Sequence, residues 1–337
     1  MKIWVVLQHR DGKLHPMSRE ALAAGQQLAS GGDGDATVDA VVLGGGNGDG
    51  DGDRDGAGAV AAGLTELDLG AVRVLDHPEL AAYTPGAYVG ALASAVESAG
   101  VDALVFPHTY QTVDYAPRLA QTIGGTMVPE VVSFRREAGE WIFRRPVFGG
   151  KLQSDNRVRG DGPLLLSVQS GAFSPDDLRP GSAPVESLTV AAEIAADREL
   201  LGVEEVAGEH VDLSAADVIV AVGRGVGDGD KLAPVEELAR ELGGEIGASR
   251  PVIDSGWLER DRQIGSSGQT VAPKLYLALG ISGAIQHLVG MKGAQTVVAV
   301  NKDPSAPIFG IADYGLVGDL HELVPALTEA VREAKSG

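Results

Sequence analysis

A short loop, Gly280-Ile281-Ser282-Gly283-Ala284-Ile285-Gln286-His287, carries the densest set of groups that could bind an anionic ligand. Ser282 is a good N-cap for a helix beginning near Ala284, and Gly283 lets a ligand approach the first turn closely. The exposed N–H groups and the helix dipole favour an anion there, most simply a phosphate. The side chains of Gln286 and His287 add polar groups near the same predicted anion site. An isolated histidine is more often buried and satisfied by a carbonyl, but its place in this loop favours a ligand contact.

Further polar residues could complete a dinucleotide site. Such a ligand needs donors for its pyrophosphate, polar groups for ribose or ribityl hydroxyls, and a group beside the redox ring. Arg224, Ser249 and Arg250 could serve the phosphates and the ring edge, together with the amides of Gly283–Ala284. Asn301 and Asp319 follow strand-like stretches, where ribose and adenine would lie. Arg250 could instead be a surface cation, and Asp319 could also cap the helix that follows it.

Short apolar runs must position these loops. Leu275–Leu279, Thr296–Val300 and Ile311 with its neighbours have strand length and composition, and each is followed by turn-forming Gly, Ser, Asn or Asp. Another run, Val218–Val222, leads through Gly223-Arg224-Gly225-Val226-Gly227 into a predicted helix over Leu232–Leu242, although a glycine turn alone is a weak signal. This succession predicts a parallel sheet whose loops share the edge where open α/β sheets bind ligands.

The first half of the chain has the same alternation of strands and helices. Predicted strands over Ile3–Leu7, Val38–Leu43, Val72–Leu75 and Val101–Phe106 indicate a second parallel sheet. The segment His108–Thr112 lacks phosphate-cradling glycines, so structural filling or an interface role is favoured over a nucleotide loop. Asp114 is predicted to cap a helix over Tyr115–Ile123, and Val128–Phe134 with Trp141–Val147 to form a hairpin. Polar residues over 191–212 place the domain boundary there, giving domains of residues 1–195 and 196–337.

The Gly/Asp segment over residues 44–58 is too polar and flexible to pack. Asp51, Asp53, Asp55 and Gly56 match the first half of a calcium loop. The twelfth position is Ala62, where a bidentate glutamate is needed. We therefore expect a solvated acidic loop and no metal site.

Composition limits the possible functions. The 337 residues include 27 basic and 47 acidic ones, a formal charge of −20, which argues against a nucleic-acid partner. Only eight of the basic residues are lysines, and this Asp-rich, Lys-poor balance suggests a halophile's protein, the alternative being simply an acidic soluble protein. No apolar run is long enough to span a membrane, the start does not resemble a signal peptide, and cysteine is absent, so a cytoplasmic location is expected.

The C-terminal third resembles the signature of the electron-transfer flavoprotein α-subunit. The matching runs are LYLALGISGAIQHLVGMKGAQTVVAVN at 275–301, GRG at 223–225, GASR at 247–250 and NKDPSAPIFGIADYGLVGDL at 301–320. The resemblance implies an α/β fold of two domains, an N-terminal nucleotide-binding-like domain on a parallel sheet and a C-terminal Rossmann-like domain that binds FAD.

The resemblance also implies roles for individual residues. Arg250 would lie against the isoalloxazine, and His287 would face its N1/O2 side as a cationic or donating imidazole. Ser267 would replace a threonine whose hydroxyl reaches N5. Other residues of the predicted set would contact the ribityl chain, the pyrophosphate and the AMP part of the cofactor. The full set is Arg224, Ser249, Arg250, Ile264, Gly265, Ser266, Ser267, Gly268, Ser282, Gly283, Ala284, Gln286, His287, Asn301, Asp319 and Leu320.

One run departs from the family. The usual Gly-Gln-Thr-Gly followed by Lys or Arg is here Gly265-Ser266-Ser267-Gly268-Gln269. A hydroxyl survives, but an amide and a cation are lost, which leaves the redox potential and the electrostatics at the flavin face open.

The resemblance implies an electron carrier without substrate turnover, and no catalytic residue is predicted. It would form a heterodimer with a β-subunit, accept electrons from flavin dehydrogenases such as those for acyl-CoA in fatty acid β-oxidation, and pass them to a quinone reductase or other acceptor. The alternatives are an electron-bifurcating, NADH-linked subunit, a flavin or nicotinamide oxidoreductase with its own substrate, and a plain nucleotide-binding module. A flavin spectrum, reduction by NADH and turnover of a small substrate would separate them.

Overall fold

The computed structural model describes residues 1–10, 12–32, 35–45, 56–148, 150–190, 194, 197–198, 200–201, 211–265 and 267–336. The chain divides into two compact units, Met1–Glu204 and Glu205–Gly337. The predicted α/β architecture of two domains is confirmed. The predicted division between residues 195 and 196, and the calcium-like positions 51–55, lie outside the described residues.

The first unit is built on a seven-stranded sheet. The strands of the whole unit, in this sheet and in two smaller ones, are β1 (Lys2–Val6), β2 (His9–Arg10), β3 (Lys13–Leu14), β4 (Thr37–Gly44), β5 (Val72–Asp76), β6 (Ala103–Pro107), β7 (Thr126–Val131), β8 (Ser133–Glu137), β9 (Glu140–Val147), β10 (Leu152–Arg157), β11 (Leu164–Val168) and β12 (Val185–Thr189). Parallel pairing gives the order β12-β5-β4-β1-β6-β11-β7. The strands β8, β9 and β10 form a separate antiparallel sheet, and β2 pairs with β3.

Helices cover both faces of this sheet. They are α1 (Pro16–Ser30), α2 (Ala57–Ala62), α3 (Pro85–Ala99) and α4 (Tyr110–Thr122). Because successive strand side chains point to opposite faces, Ile3 and Val5 pack in a cluster with α1 and α2, whereas Trp4 and Val6 pack with α3 and α4. Continuously buried strands follow from covering both faces.

Two predictions about this unit are wrong at the ends of elements. The helix predicted over Tyr115–Ile123 begins at Tyr110, because the Thr109 hydroxyl accepts a hydrogen bond from the Thr112 N–H at 3.2 Å. Residues 110–112 are therefore its first turn, and Asp114 accepts a hydrogen bond from Tyr83 Oη at 2.8 Å. The predicted strand over Val128–Phe134 is in fact divided between β7 in the parallel sheet and β8 in the hairpin with β9.

The buried carboxyl group of Glu20 on α1 is expected to make the stability of this unit depend on pH. Its Oε2 accepts a hydrogen bond from the Gly171 N–H at 2.6 Å, and burial raises the pKa of the carboxyl group to about 7. Between about pH 4.5 and 7 the folded state therefore holds a proton that the unfolded state has lost. The contribution of Glu20 to stability is present at acid pH and decreases as pH rises through about 7.

We expect Glu20→Gln to stabilise the chain by roughly 2 kcal/mol at pH 8 and to flatten this pH dependence, because an amide still accepts from Gly171 but carries no charge. Urea unfolding at constant salt between pH 5 and 8 measures the free energy of unfolding and its dependence on pH. The exposed Glu79→Gln variant serves as the control and should keep the wild-type slope. Equal slopes in both variants and the wild type would refute the assignment.

The second unit has one five-stranded parallel sheet. Its strands are β13 (Val218–Val222), β14 (Glu245–Ala248), β15 (Leu275–Leu279), β16 (Thr296–Asn301) and β17 (Tyr314–Val317), and its helices are α5 (Ala233–Leu242), α6 (Arg250–Asp254), α7 (Ile285–Val289) and α8 (Leu320–Ser336). The order is β14-β13-β15-β16-β17. The strand predicted around Ile311 is wrong: a 3₁₀ turn over Pro307–Gly310 precedes Ile311, and the strand follows at Tyr314.

No helix in the described part of the chain combines the length and the apolar character that crossing a membrane requires.

Candidate cofactor-binding site

A cleft of about 670 Å³ opens at the carboxyl ends of the strands in the second unit. Its walls come from the loops after β13, β14 and β15 and from Asn301 at the end of β16. The chain leaves β13 toward β14 on one side and later returns to β15 on the other, so β13 and β15 flank the point where the strand order reverses. Open α/β sheets bind ligands at such a point, and this volume suits a small molecule or cofactor.

Glycines form the floor of the cleft because two loops touch there through their backbones. The Gly223 N–H donates to the Leu279 carbonyl at 2.8 Å, and the Gly225 N–H donates to the Gly280 carbonyl at 3.1 Å. A Cβ on Gly223 would stand 2.3 Å from the Gly280 oxygen, and Gly280 has a φ of +64°. Glycine is therefore required for the loops to meet and leave backbone exposed to a ligand.

Two arginines give the cleft a local positive charge in a chain of −20. Arg224 lies in the turn after β13 and, within the described residues, has no ion-pair partner. Arg250 is the first residue of α6, is largely exposed, and places Nε 3.4 Å from Asp254 Oδ2. Asp254 is the one carboxylate of the lining, so the three charged side chains sum to +1. This charge favours an anionic ligand.

The loop after β15 differs in detail from the prediction. Helix α7 has only five residues, begins at Ile285, and within the described residues no side chain caps it, so the prediction of Ser282 as its N-cap is wrong. The Ser282 carbonyl instead accepts from the Ile308 N–H at 3.1 Å, and its exposed side chain lines the cleft. One helical turn supplies little dipole, so an anion here would depend on the arginines and loop N–H groups.

His287 lines the cleft, but both of its ring nitrogens already have protein partners. Nδ1 lies 3.1 Å from the Ile264 carbonyl, and Nε2 lies 2.8 Å from Tyr276 Oη. Burial lowers the pKa of the imidazole to about 4, so the ring is neutral near pH 7. The carbonyl partner matches the alternative interpretation of a buried histidine, and the expectation that His287 faces a ligand as a cationic or donating imidazole stays a prediction.

Of the predicted site residues, eleven line the cleft. They are Arg224, Ser249, Arg250, Ile264, Gly265, Ser267, Ser282, Ala284, Gln286, His287 and Asn301. Among the other described ones, Gly268 and Gly283 pack against backbone, Leu320 is a core residue, and Asp319 Oδ1 accepts from the His321 N–H at 2.9 Å, as a cap of α8. Ser266 lies outside the described residues.

The predicted set of site residues leaves out seven residues of the lining, although four of them lie in the two glycine loops that the sequence analysis singled out. These are Gly223, Gly225, Pro251, Asp254, Gln263, Gly280 and Ile281. The glycines stand directly at strand ends and could have been found from that position. Gln263 gave no such signal, because only the packing of its loop against β14 buries it in the wall.

Two protein-family models match most of the chain. Residues 3–193 match the electron transfer flavoprotein domain, and residues 212–292 match the electron transfer flavoprotein FAD-binding domain. An electron transfer flavoprotein subunit alpha of Thermoanaerobacterium thermosaccharolyticum is 35% identical over 337 residues, covering 99% of this chain and 98% of the relative. The chain belongs to the electron-transfer flavoprotein α-subunit family. The resemblance found in the sequence is thereby confirmed.

Further members and relatives match over a similar extent. The electron transfer flavoprotein subunit alpha of Bacillus subtilis is 35% identical over 339 residues, covering 98% of each chain. A protein of Anaerotignum propionicum named acryloyl-CoA reductase electron transfer subunit beta is 32% identical over 365 residues, covering 99% of this chain and 96% of the relative.

Ser267 and Gln269, two positions at which this chain departs from the usual flavoprotein sequence, differ in whether they line the cleft. The Ser267 hydroxyl lines the cleft and accepts a hydrogen bond from Gln263 Nε2 at 2.9 Å, so its own proton is available to a ligand. Gln269 does not line the cleft. Its Nε2 donates to the carbonyls of Val211 and Asp261, and its Oε1 accepts from the Leu213 N–H at 3.0 Å. Gln269, which stands where the family has a lysine or an arginine, therefore joins the segment at Val211 and Leu213 to the loop at Asp261 through its side-chain amide.

Proposed function

We propose that this chain is the FAD-binding α-subunit of a heterodimeric electron-transfer flavoprotein. The observation that carries the proposal is the glycine-floored cleft with two arginines at the strand-order reversal, whose lining residues except Asn301 lie in the region that matches the family's FAD-binding domain. Bound FAD would supply the electron transfer, and the chain would supply binding and tuning.

The residues of the cleft fit the chemistry of FAD. Arg224 would pair with the pyrophosphate, Arg250 would lie against the isoalloxazine as the family resemblance implies, and the exposed glycine backbone allows close approach. Ser282 and Gln286 offer hydroxyl and amide groups for sugar and ribityl oxygens, and Asn301, whose amide already bonds the Ile281 carbonyl and the Asp303 N–H, keeps one further N–H for them. Ile264 and Ile281 supply apolar surface for a ring. Asp319 and Leu320, which the family resemblance assigns to the AMP end, would need the ligand to extend beyond the cleft along α8.

The proposal also includes a second subunit, an electron donor and an electron acceptor. The name of the family's α-subunit implies a second subunit, and we propose a β-subunit as the obligate partner, with the first domain contacting it. Dehydrogenases of the acyl-CoA type would donate electrons, and a quinone reductase or other acceptor would receive them. A relative named for acryloyl-CoA reductase electron transfer supports chemistry linked to CoA esters. A cytoplasmic location remains a prediction.

An electron carrier is favoured over an enzyme with its own substrate. Within the described lining, the serine hydroxyls have no neighbouring general base, and the one histidine is engaged through both nitrogens. The electron-bifurcating alternative differs only through the partner's flavin and its use of NADH. Reduction of the purified heterodimer by NADH, without a dehydrogenase, would favour it.

The test is a titration of the full chain, alone and with the β-subunit, with FAD after removal of bound flavin. Arg250→Ala is expected to weaken FAD binding roughly ten- to a hundredfold, because a charged hydrogen bond contributes about 1.5–3 kcal/mol. Asp254→Asn removes the competing carboxylate and is expected to bind FAD at least as tightly as the wild type.

The matched control is Arg240→Ala on α5, an exposed arginine outside the cleft, which should leave FAD binding unchanged. Wild-type affinity in Arg250→Ala would refute the role of Arg250. A wild-type heterodimer that binds no FAD would refute the proposed function itself.

A further inference from the structure

The side chain of Gln269 joins two separate segments of the second unit. Its Nε2 donates to the Val211 carbonyl at 2.8 Å and to the Asp261 carbonyl, and its Oε1 accepts from the Leu213 N–H at 3.0 Å. Val211 and Asp261 lie 58 and 8 residues before it in the chain. One amide therefore ties the stretch that precedes β13 to the loop that lines the cleft.

The orientation of this amide follows from the chemistry of its three partners. Two of them are carbonyl oxygens, which only accept hydrogen bonds, and the third is a backbone N–H, which only donates. Exchanging the oxygen and the nitrogen of the amide would make all three contacts repulsive. Both N–H groups of the Gln269 side chain and its oxygen are therefore engaged within this unit.

The backbone of the same residue closes the base of the Ser267 loop, which runs from Gln263 to Gln269. The Gln269 N–H donates to the Gln263 carbonyl at 2.7 Å, and the Gln269 carbonyl accepts from the Gly265 N–H at 3.2 Å. Within the loop, Gln263 Nε2 donates to the Ser267 hydroxyl at 2.9 Å. Gln263, Gly265 and Ser267 all line the cleft. The residue that closes this loop is consequently also the one whose side chain holds it.

The segment that bonds the amide is itself fixed in the core of the unit. Leu213 is fully buried and belongs to the same core cluster as Ile264. The Val211 N–H donates to Asp261 Oδ2 at 2.9 Å, so a further hydrogen bond joins the same two segments. Gln269 thus fastens the Ser267 loop to a part of the unit that packing already holds in place.

A lysine or an arginine, which the usual flavoprotein sequence has at this position, could not make the same set of contacts. Both cations are donors only, so the Leu213 N–H would lose its acceptor. Their N–H groups could still bond the two carbonyls. The three-way tie is therefore a feature of the glutamine that this chain carries.

We propose that Gln269 is a positioning residue that fixes the Ser267 loop, and with it the Ser267 hydroxyl, against the segment at Val211 and Leu213. Gln269 does not line the cleft, so it acts through the loop. The consequence for a flavin rests on the proposed function, in which Ser267 faces the redox ring. The tie between the two segments is a property of this chain and can be measured without flavin.

Hydrogen–deuterium exchange of the full chain, with flavin removed, tests the tie itself. Gln269→Lys leaves the Leu213 N–H without its acceptor, so this N–H is expected to exchange about tenfold faster than in the wild type. Peptides from the Ser267 loop should also exchange faster, because the loop loses its attachment. The matched control is Gln295→Lys, which adds the same charge at an exposed glutamine outside the cleft and should leave both segments unchanged.

Two results of this experiment would overturn the proposal, with thermal unfolding showing that the variant is folded. One is wild-type exchange of both segments in Gln269→Lys. The other is faster exchange at Leu213 with an unchanged Ser267 loop, because the glutamine would then stabilise the stretch before β13 without positioning anything in the cleft.

Gln269→Glu separates the hydrogen bonds from the volume of the side chain. A glutamate keeps an acceptor for the Leu213 N–H, but its ionised form turns an oxygen toward the two carbonyls, whereas the protonated acid can donate to one of them. Relative to the wild type at the same pH, this variant is expected to exchange about tenfold faster at pH 8 and to approach the wild type near pH 5. A ratio that is the same at both pH values would overturn the hydrogen-bond assignment.

A measurement with flavin connects the loop to the cofactor. In the FAD-loaded heterodimer, Gln269→Lys should weaken FAD binding roughly tenfold and change the visible absorption and circular dichroism of the flavin that stays bound, because the Ser267 hydroxyl is displaced. A merely structural role would leave the spectrum of the bound flavin unchanged, and that result would overturn the positioning role. A wild-type heterodimer that binds no FAD would refute the proposed function, and the exchange rates would still decide about Gln269.

Discussion

Replacing Gly283 with alanine is expected to destabilise the second unit by about 3 kcal/mol and to weaken FAD binding at the same time. Gly283 has a φ of +86°, which costs an alanine about 1–2 kcal/mol. A Cβ there would also stand 2.3 Å from the Ile308 nitrogen and 2.7 Å from its Cα, so backbone would have to move. Overpacking of this kind typically costs a further 1–3 kcal/mol.

The movement would reach the cleft directly. The Ile308 N–H donates to the Ser282 carbonyl at 3.1 Å, so pushing the Pro307–Ile308 segment away breaks the bond that holds the Ser282 loop. Thermal unfolding should show a midpoint lowered by roughly 10 °C for a unit of this size, and an FAD titration should show weaker binding.

Gly310→Ala is the control from the same neighbourhood, because a Cβ at Gly310 meets nothing within 4 Å. It should unfold and bind FAD as the wild type does. Similar behaviour of the two variants would show that the close approach at Gly283 does not constrain the loop.

The sequence was most informative where one physical rule connects pattern to position. Apolar runs such as Leu275–Leu279 followed by turn residues predict parallel strands, and the carboxyl ends of parallel strands share one edge. Residues as distant in the chain as Arg224, Arg250 and Asn301 could therefore be placed together without knowing the strand order, and the structure brings all three to one cleft.

The sequence was least informative where contacts between distant segments decide the outcome. Nothing in the spacing shows that the Tyr276 hydroxyl and the Ile264 carbonyl, 11 and 23 residues away, are the hydrogen-bond partners of the two ring nitrogens of His287. The predicted start of α4 is wrong for a local reason, because Thr109 and Asp114 are both good N-cap residues. Only the structure shows that Thr109 caps the helix while Asp114 binds the Tyr83 hydroxyl. Competition among equally suitable groups cannot be resolved from propensity alone.

The acidic composition leads to the second large effect, a requirement for salt. We expect the midpoint of thermal unfolding to rise by about 10 °C or more between roughly 0.05 M and 1 M sodium chloride, because screening shortens the Debye length from about 10 Å or more to about 3 Å. The formal charge of −20 means that repulsion among unpaired carboxylates dominates in dilute buffer.

Surface ion pairs act in the opposite direction, since salt weakens them as well. Exposed pairs such as Arg135 with Asp155 and Lys274 with Asp217 each contribute about 0–1 kcal/mol, and the 27 basic residues can pair with only part of the 47 acidic ones. The excess of negative charge therefore determines the sign, and added salt should stabilise the fold.

A charge-reduced variant makes this prediction specific. Glu97 and Glu333 are exposed residues near the C-terminal ends of α3 and α8, where a negative charge is also unfavourable toward the helix dipole. Glu97→Gln combined with Glu333→Gln changes the formal charge from −20 to −18 and should raise the unfolding midpoint at low salt more than at high salt. A wild-type midpoint that is constant or falls as sodium chloride increases would contradict both the electrostatic argument and the halophilic interpretation of the composition.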